Sequence, residues 1–581
     1  MALNVVRRIA ESARVAALGS GLHPVLARAY AARGVGAAEE LSASLERLLP
    51  VGTLDHVAEA VELLLAHRGR GDGVLVIGDF DADGATSTAL IVRALRAWGF
   101  PSVDFLVPNR FQFGYGLTPE IVALAAGRSP GLIVTVDNGI SSLAGVSAAR
   151  QLGIDVLVTD HHLPGAELPS ANVIVNPNLA GAAFASRALA GVGVAFYVMA
   201  ALYRELQRRC ALPEAAAGGA VTPASLLDLV ALGTVADLVP LDANNRVLVA
   251  QGLKRIRAGR CVPGIRALLE LGGRQLAGIT AADLGFAVGP RLNAAGRLDD
   301  TSIGIRCLLA DSLAEALALA ARLDQLNQER RAIETRMQEQ ALAAVRSLRD
   351  AASLEGPRRH GVCLFDPGWH QGVVGLVASR IKDRVRRPVV AFADAGEGML
   401  RGSARSVAGV HVRDVLDAIA TREPGLLAKF GGHAMAAGLT LAAADLDRLA
   451  RAFEAEGAPG QAGGSPADRI ETGGGLALEE ICLETASAVR EGGPWGQAFP
   501  EPCFDGRFAI RRTRVVGEKH LKMWVEVEGA RRSFDAIAFN FFQGHEPGAP
   551  LPTGAQLVYR LDVNEWQGER RLQLLVDHVL P

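Results

Sequence analysis

The stretch GVLVIGDFDADG, residues 73–84, joins a run of apolar residues directly to three closely spaced acids. The apolar part predicts a buried β-strand, after which Asp79, Asp81 and Asp83 occupy alternate positions. The acids reproduce the first half of a calcium-binding loop, in which oxygen ligands surround a cation before a glycine turn. The twelfth position of such a loop should be a bidentate Glu but is Leu90, so we reject an EF-hand.

The apolar run is the first of four that are rich in Val, Ile and Leu, and helix-like segments lie between most of them. The other three are VDFLV (103–107), LIVTV (132–136) and DVLVT (155–159). Continuous apolar strands that alternate with helices predict a parallel sheet covered on both faces, so the expected fold class is α/β. Ligands of such sheets bind at the carboxyl ends of the strands.

Acids and histidines follow three of these predicted strands. The first strand leads into Asp79, the third into Asp137, and the fourth into TDHH, residues 159–162. A single Asp after a strand usually forms a turn or caps a helix, but three strand ends acting together favour a metal site. Carboxylates mixed with imidazoles suit Mn²⁺ or Mg²⁺, and two such ions ~3.5–4 Å apart can clamp both reacting oxygens of a phosphoryl displacement.

Length and composition limit the class of protein. A chain of 581 residues with a formal net charge of −2 implies several domains and excludes a uniformly basic nucleic-acid binder, so any polyanion site must be local. The six cysteines form no C-x-x-C pair, which argues against a zinc ribbon or a disulfide framework and fits a cytoplasmic location. The longest uncharged apolar stretch, residues 188–203, is too short for a membrane span and predicts a core helix.

The remaining sequence predicts three further parts. Residues 311–350 contain neither Gly nor Pro and predict one long helix that starts with a capping box at Ser312 and Glu315. The strands VCLFD and PVVAF then predict a second α/β segment, and short alternating strands after a Gly/Pro/Ser linker predict a small β-barrel. The predicted domains are residues 1–310 (N-terminal lead and catalytic domain), 311–350 (connecting helix), 351–455 (second α/β domain) and 456–581 (linker and barrel).

Four motifs combine cations with aromatic or small residues, as phosphate-binding and nucleic-acid-binding sites do. Taken singly, they have ordinary explanations, since aromatic residues pack and arginines are solvated. Their sum favours binding of a nucleic-acid strand by charge, base stacking and backbone amides. They are NRFQFGYG (109–116), GPRLNAAGR (289–297), RGSARS (401–406) and KFGGHAMAAG (429–438), the last with a predicted Gly-Gly turn.

Over nearly its whole length the chain resembles the RecJ family of single-strand-specific 5′-to-3′ DNA exonucleases, within the Asp-His-His (DHH) phosphoesterase superfamily. The motifs that carry the resemblance are VIGDFDADGATSTAL, TVDNGIS, TDHH, ALGTVADLVPL, GPRLNAAGR and FGGHAMAAG, in the family's order. The resemblance implies a DHH catalytic domain, a connecting helix, a DHH-associated domain and an OB-fold barrel. It also implies hydrolysis of phosphodiesters by two Mn²⁺ or Mg²⁺ ions, with release of 5′-mononucleotides in DNA recombination and repair.

The resemblance also implies roles for individual residues. The expected metal ligands are Asp81, Asp83, Asp137, His161 and Asp237. Asp79 and His162 are expected beside them in the catalytic site, with His162 near the scissile phosphate. Only the resemblance selects Asp237, which otherwise reads as a helix-end residue. The residues expected to bind DNA or its phosphates are Arg110, Tyr115, Arg291, Asn293, Ser403, Arg405, Gly431, Gly432 and His433.

The expected partners are single-stranded DNA and, from the family, single-strand-binding protein and a helicase, with no membrane and a monomeric chain. One alternative is a phosphodiesterase for cyclic dinucleotides or very short oligonucleotides, as in shorter superfamily members, but a dinucleotide needs no barrel. Those members carry His where this chain has Ile77, which argues against a pyrophosphatase. The other alternative is a non-catalytic DNA-binding scaffold, but scaffolds lose metal ligands and here every one is present.

Overall fold

The computed structural model describes residues 4–19, 21–109, 113, 115–214, 221–352, 361–456, 469–543, 553–566 and 568–580. The chain forms two compact units. The larger unit comprises Arg7–Gly296, Asp300–Asp324 and Glu471–Pro581, and the smaller unit comprises Met1–Val6, Arg297–Asp299 and Gln325–Ile470. The C-terminal barrel therefore belongs to the same unit as the N-terminal parallel sheet.

The N-terminal segment contacts the C-terminal part of the larger unit. Its elements are β1 (Asn4–Arg7), α1 (Ser12–Ala17), α2 (Pro24–Ala31) and α3 (Val57–Arg70), with short 3₁₀ turns at Ala38–Leu41, Leu45–Arg47 and Val51–Thr53. Tyr30 donates a hydrogen bond to the carbonyl of Gly492 and stacks on Trp495 at a centroid distance of 5.6 Å. Arg7 forms an ion pair with the buried carboxylate of Asp505 at 2.7 Å.

The parallel sheet of the larger unit consists of the strands that the apolar runs predict, with one addition. The strands are β2 (Val74–Ile77), β3 (Val103–Leu106), β4 (Leu132–Val136), β5 (Asp155–Thr159) and β6 (Val173–Val175), in the order β3-β2-β4-β5-β6. All neighbouring strands are parallel. β2 and β4 are buried along their whole length, which explains why they read as uninterrupted apolar runs.

Helices cover both faces of this sheet. They are α4 (Ala82–Ala97), α5 (Pro119–Ala126), α6 (Leu143–Gln151) and α7 (Gly191–Arg208). α5 and α6 pack on the face that carries Leu75, Ile133 and Val156, while α4 and α7 pack on the opposite face. α7 is the core helix predicted from the apolar stretch. In the described part of the chain, no helix is both long and apolar enough to cross a membrane.

A helical region follows the sheet in the larger unit. It comprises α8 (Leu227–Ala236), α9 (Ala243–Arg257), α10 (Pro263–Leu271), α11 (Ala281–Asp283), a π-helical turn (Leu284–Val288), α12 (Gly289–Leu298) and α13 (Ser302–Leu309), with 3₁₀ turns at Pro223–Leu226 and Leu276–Gly278. α8 is apolar on every side because it packs against α4, α7 and α9. This packing brings the end of α8 close to the start of α4.

The connecting helix is α14 (Leu313–Ala352), which starts in the larger unit and ends in the smaller one. Ser312 caps it as predicted, because its hydroxyl accepts a hydrogen bond from the amide of Glu315 at 3.2 Å. Within the smaller unit, Met337 and Ala341 of α14 pack in one core with Trp369.

The smaller unit is built on a mixed sheet. Its elements are β7 (Val362–Phe365), α15 (Val374–Val385), β8 (Val389–Gly396), β9 (Met399–Arg405), α16 (Val412–Arg422), β10 (Lys429–Gly432), β11 (Ala436–Ala442), a 3₁₀ turn (Ala443–Asp445) and α17 (Leu446–Glu456). The strand order is β10-β11-β9-β8-β7, and only β7 and β8 are parallel. The predicted turn at Gly431 and Gly432 is instead the end of β10, and the hairpin turn follows at 433–435. β12 (Arg469–Thr472) pairs with β1.

The C-terminal strands close into the predicted barrel. They are β13 (Phe504–Val516), β14 (His520–Val527), β15 (Ser533–Ala538), β16 (Gly554–Trp566) and β17 (Glu569–Leu580), preceded by α18 (Leu483–Glu491) and with a 3₁₀ turn at Phe541–Gln543. The closed order is β13-β14-β15-β17-β16, with β15 and β17 parallel and the other pairs antiparallel. A closed barrel of five strands is the OB-fold architecture.

Candidate metal centre

The strand order places a crevice between β2 and β4. The chain passes from β2 to β3 on one side and then returns to β4 on the other side of β2. In open α/β sheets, such a reversal creates a ligand site outside the carboxyl ends of the strands. β2 leads into the GDFDADG loop, and β4 leads into Asp137. Acids therefore reach the crevice from both sides.

The GDFDADG loop turns sharply from β2 into α4. Asp81 caps the helix, because its Oδ1 accepts hydrogen bonds from the amides of Asp83 at 3.0 Å and Gly84 at 3.1 Å. Gly84 is required by close packing, since a Cβ at this position would lie 2.7 Å from the backbone nitrogen of Asp79. The tight turn keeps all three acids at the end of one strand.

Asp83 is buried at the amino end of α7. Its Oδ2 accepts a hydrogen bond from the amide of Gly191 at 2.6 Å, and its Oδ1 accepts one from the amide of Val192 at 3.0 Å. The positive end of a helix stabilises a carboxylate. Burial and the neighbouring charge of Asp81 nevertheless raise the pKa of Asp83 to about 7. The carboxylate therefore needs more positive charge than the helix supplies.

Asp137 and His161 lie opposite this loop. The backbone of Asp137 is left-handed, with φ of 59°, and its Oδ1 lies 3.1 Å from Nε2 of His161. Asp237 directly follows α8 as its C-cap, and its Oδ2 lies 3.6 Å from the same imidazole nitrogen. The tertiary fold thus brings a helix end to the strand ends, which sequence spacing alone does not predict.

Asp160 holds the two histidines in place. It accepts hydrogen bonds from the amides of Ile140 at 2.9 Å and His161 at 2.7 Å, and from Nδ1 of His162 at 2.8 Å. Burial alone raises its pKa, but the bond from His162 brings the pKa below its ordinary value. The sequence predicts that Asp160 lies at the same sheet edge as the two histidines, but it does not include Asp160 among the expected metal ligands. The structure makes it a positioning residue.

All seven predicted catalytic residues come together at this edge of the sheet. They form three overlapping groups in which one possible ligand atom from each residue lies within 4.8 Å of the others. Asp137 belongs to the first two of these groups, and His161 belongs to the last two. They are Asp79, Asp81 and Asp137; Asp137, His161 and His162; and Asp83, His161 and Asp237.

The centre fits a divalent cation. Oδ1 of Asp137 and Nε2 of His161 are buried, and neither forms a hydrogen bond to any residue that the structure describes. Such atoms are costly to leave unsatisfied. Burial and then Asp83 raise the pKa of Asp137 well above its ordinary value, burial raises that of Asp237 to about 9, and burial lowers that of His161 to about 4. A neutral imidazole among carboxylates that lack positive charge is a donor set for Mn²⁺ or Mg²⁺.

The predicted DNA-binding residues of the larger unit have different surroundings in the structure. The hydroxyl of Tyr115 donates to the carbonyl of Asp137 at 3.1 Å, so this ring lies at the centre. Asn293 supports the acidic loop, because its Oδ1 accepts a hydrogen bond from the amide of Ala82 at 2.7 Å. Arg291 is mostly buried and pairs with Asp324 at 2.7 Å. Arg110 lies outside the described residues.

The other predicted phosphate-binding residues belong to the smaller unit. Arg405 and Ser403 lie on β9, where the Arg405 guanidinium donates to the Ser403 hydroxyl at 2.8 Å. Gly431 and Gly432 end β10, and the amide of His433 donates to the carbonyl of Ala436 at 2.7 Å. Their role in binding phosphate stays a prediction.

Comparison with known proteins identifies the family. Family models match residues 73–234 (DHH family, N-terminal domain), 359–456 (DHHA1 domain) and 473–578 (RecJ OB domain). The single-stranded-DNA-specific exonuclease RecJ of Dickeya dadantii is 53% identical over 569 residues, covering 97% of each chain. The chain belongs to the RecJ family. The resemblance inferred from the motifs is therefore confirmed.

Solved RecJ structures confirm the fold class. RecJ from Thermus thermophilus in complex with Mn²⁺ matches with a TM-score of 0.80 and 30% identity, covering 100% of this chain and 79% of that chain. RecJ from the same organism in complex with Mg²⁺ matches with a TM-score of 0.75 and 28% identity, covering 100% and 78%. The DHH domain with its parallel sheet, the DHHA1 domain and the OB barrel are thus those of RecJ proteins.

Proposed function

We propose that this chain is a metal-dependent, single-strand-specific 5′-to-3′ DNA exonuclease that releases 5′-mononucleotides during DNA recombination and repair. One observation carries the proposal: the seven acids and histidines converge at the sheet's switch point, around two buried atoms that form no hydrogen bond to any described residue. The similarity to single-stranded-DNA-specific exonucleases along 97% of the chain supplies the substrate class.

The residues that would hold the ions are Asp81, Asp83, Asp137, His161 and Asp237. When bound, Mn²⁺ or Mg²⁺ would polarise the phosphoryl group, neutralise charge on its oxygens and activate water. The protein holds the ligand side chains in fixed positions. The α7 amides fix the Asp83 carboxylate, and the Asp160 carboxylate fixes the backbone of His161. Rigid supports of this kind keep ligands in place without reorganisation during the reaction.

His162 would carry positive charge beside the scissile phosphate. Burial lowers its pKa, but the hydrogen bond to Asp160 and the charges of Asp160, Asp79 and Asp81 together raise it above the ordinary value. The proton on Nδ1 is held by Asp160 at 2.8 Å. A cationic imidazole in this position would stabilise charge that develops on the phosphoryl oxygens and the leaving group.

The barrel would hold the strand outside the catalytic centre. On its surface, the Arg512 guanidinium lies 4.9 Å from the centroid of Trp524, and the Lys522 ammonium lies 5.4 Å from the same ring. Cations beside an aromatic ring are typical of surfaces that bind single strands by backbone contact and stacking. A cyclic dinucleotide would not need this additional surface of the barrel.

We also propose that the protein is a monomer in the cytoplasm and that it works with single-strand-binding protein and a helicase.

Digestion of end-labelled DNA tests the proposal. Single and double strands labelled at either end are incubated with Mn²⁺, Mg²⁺ or chelator, using wild type, Asp137→Asn and the control Asp104→Asn. Asp104 is a solvent-exposed acid on β3, paired with Arg128. We expect degradation of single strands from the 5′ end that needs a cation and falls on the order of 1,000-fold in Asp137→Asn alone.

Two results would contradict this function. If Asp137→Asn degraded DNA at the wild-type rate, the metal centre would take no part in the reaction. Equal degradation of single and double strands, or degradation from the 3′ end, would refute the proposed specificity. Cleavage of a dinucleotide but not of a long strand would favour the small-substrate phosphodiesterase.

A further inference from the structure

The backbone of one short segment contacts two buried acids of the metal centre. The segment is ALAGV, residues 188–192, which leads into α7. Its last two amides, those of Gly191 and Val192, hold the Asp83 carboxylate. Gly191 also lies against Asp137, because a Cβ at Gly191 would lie 2.7 Å from the Cβ of Asp137. We call residues 188–192 the ligand segment.

The ligand segment also orients the imidazole of His161. This imidazole donates a hydrogen bond to the backbone of Leu189, whose carbonyl is the acceptor. Nε2 of His161 forms no hydrogen bond to any described residue, so Nδ1 is the donor. A neutral imidazole that carries its proton on Nδ1 has its lone pair on Nε2, the nitrogen that faces the acids. The Leu189 carbonyl therefore selects the tautomer that can bind a cation through Nε2.

Asn245, in the first turn of α9, holds the start of the ligand segment. Its side chain is buried, and its Nδ2 donates to the carbonyl of Ala188 at 2.6 Å and to that of Pro240 at 2.9 Å. Pro240 lies three residues after Asp237, another predicted metal ligand. One amide group thus joins the ligand segment to the loop that follows Asp237. Only a group with two N–H donors can make both bonds.

The start of α9 fixes Asn245 in turn. Asp242 caps this helix, because its Oδ1 accepts a hydrogen bond from the amide of Asn245 at 2.8 Å. Its Oδ2 accepts one from the hydroxyl of Ser186 at 2.6 Å. Ser186 lies two residues before the ligand segment. The backbone of Asn245 and the approach to the ligand segment are therefore held by the same carboxylate.

The neighbouring Asn244 shows what a buried asparagine does without contacting this segment. Buried polar side chains commonly serve to satisfy other buried polar groups. Asn244 is also buried, and its Oδ1 accepts hydrogen bonds from the amide of Leu49 and the hydroxyl of Tyr197, both at 3.0 Å. Leu49 lies before α3, and Tyr197 lies further along α7. Of the two asparagines, it is Asn245 that bonds to the ligand segment.

We propose that Asn245 is a positioning residue for the metal centre, which rests on the proposed function. Asn245 fixes the ligand segment, and the ligand segment fixes the Asp83 carboxylate and the His161 tautomer. Ligands that are already in place need not be ordered when a cation binds, so the cation binds more tightly. Loss of Asn245 therefore weakens metal binding and leaves the binding of DNA unchanged.

Mn²⁺ binding by variants of the full chain tests this proposal. The main variant is Asn245→Ala, and Asn245→Ser is a milder one because its hydroxyl retains a donor. Asn244→Ala is the matched control, since it also removes two hydrogen bonds of a buried asparagine. Titration calorimetry without DNA gives the dissociation constant for Mn²⁺. Steady-state kinetics on a single strand over a range of Mn²⁺ concentrations, and melting temperatures in chelator, complete the measurements.

We expect the dissociation constant for Mn²⁺ to rise about 10- to 100-fold in Asn245→Ala and less in Asn245→Ser. The Mn²⁺ concentration for half-maximal cleavage should rise by the same factor, while the KM for the strand at saturating Mn²⁺ stays at the wild-type value. Asn244→Ala should melt below wild type in chelator, as Asn245→Ala does, because each leaves buried groups unpaired. Its affinity for Mn²⁺ should nevertheless equal that of wild type.

Wild-type affinity for Mn²⁺ in Asn245→Ala would overturn the proposal while the nuclease function stands. Equal losses of affinity in Asn245→Ala and Asn244→Ala would do the same, because both would then reflect general destabilisation. If circular dichroism shows that Asn245→Ala does not fold, Asn245→Ser decides between the same outcomes. Wild type that binds no Mn²⁺ would instead refute the proposed function, and the role of Asn245 with it.

Discussion

The metal centre should make the larger unit less stable as pH rises when no divalent cation is bound, and the stabilisation by a bound cation should grow with pH. Asp83 ionises near 3.8 in the unfolded chain and at about 7 in the folded one. Between these pH values the folded state binds more protons than the unfolded state, so the free energy of unfolding falls as pH rises. Asp237, with a pKa of about 9, extends the fall to higher pH.

The size of the effect follows from the same values. The difference in the pKa of Asp83 alone, from 3.8 to about 7, corresponds to at most about 4–5 kcal/mol, at ~1.4 kcal/mol per pKa unit. Bound Mn²⁺ removes the penalty, because it supplies the positive charge that the carboxylates lack. Saturation at 100 times the dissociation constant adds about 2.7 kcal/mol. Both terms are large beside the net stability of a domain.

The assay is thermal unfolding at pH 5, 7 and 9 in chelator and in Mn²⁺. In chelator, the melting temperature of the larger unit should fall steadily from pH 5 to pH 9. The stabilisation by Mn²⁺ should grow over the same range. The difference between the two curves isolates the centre, because all other titrating groups contribute equally to both.

The variant Asp83→Asn provides a control, since an amide cannot titrate. Its melting temperature in chelator should depend less on pH, and it should gain less from Mn²⁺. A melting temperature in chelator that rises between pH 5 and pH 9 would refute the reasoning. So would an effect of Mn²⁺ that is the same at pH 5 and pH 9.

We make further predictions for three substitutions near the metal centre. Asp160→Asn should lower kcat about 10- to 100-fold, because it weakens the support of both histidines; steady-state kinetics on a single strand would check this, and an unchanged kcat would contradict it. Gly84→Ala should abolish cleavage while the barrel stays folded, because its Cβ would collide with Asp79; activity together with circular dichroism tests this. Asn293→Ala should destabilise the larger unit by about 1–3 kcal/mol, measured by denaturant unfolding, because the amide of Ala82 loses its acceptor.

Much of the fold could be predicted because buried parallel strands leave a clear pattern. β2, β4 and β5 have the predicted bounds, since both faces of each strand are covered and every position is apolar or nearly so. β6 was missed because Val173–Val175 is too short to stand out. β9 was missed because its glycine, serine and arginines hide a regular alternation of buried and half-buried positions.

The centre could be predicted only in part, because some of its residues depend on tertiary packing. The acids after β2 and β4 directly follow predicted parallel strands, so the sequence next to each acid was enough to predict that they meet at one edge of the sheet. Asp237 follows a helix, and nothing in its own surroundings indicates a ligand. Arg291 was predicted from its motif to bind phosphate, but its pairing with Asp324, 33 residues later, depends on the fold.

The most direct test of the centre is a crystal grown with Mn²⁺ and measured at the manganese absorption edge. The anomalous map should show a peak bonded to Oδ1 of Asp137 and Nε2 of His161, about 2.1 Å from each, the bond length of small divalent cations. A map without a peak at these two atoms would contradict the assignment of this cluster as the catalytic metal centre, whether or not Mn²⁺ is bound elsewhere in the crystal.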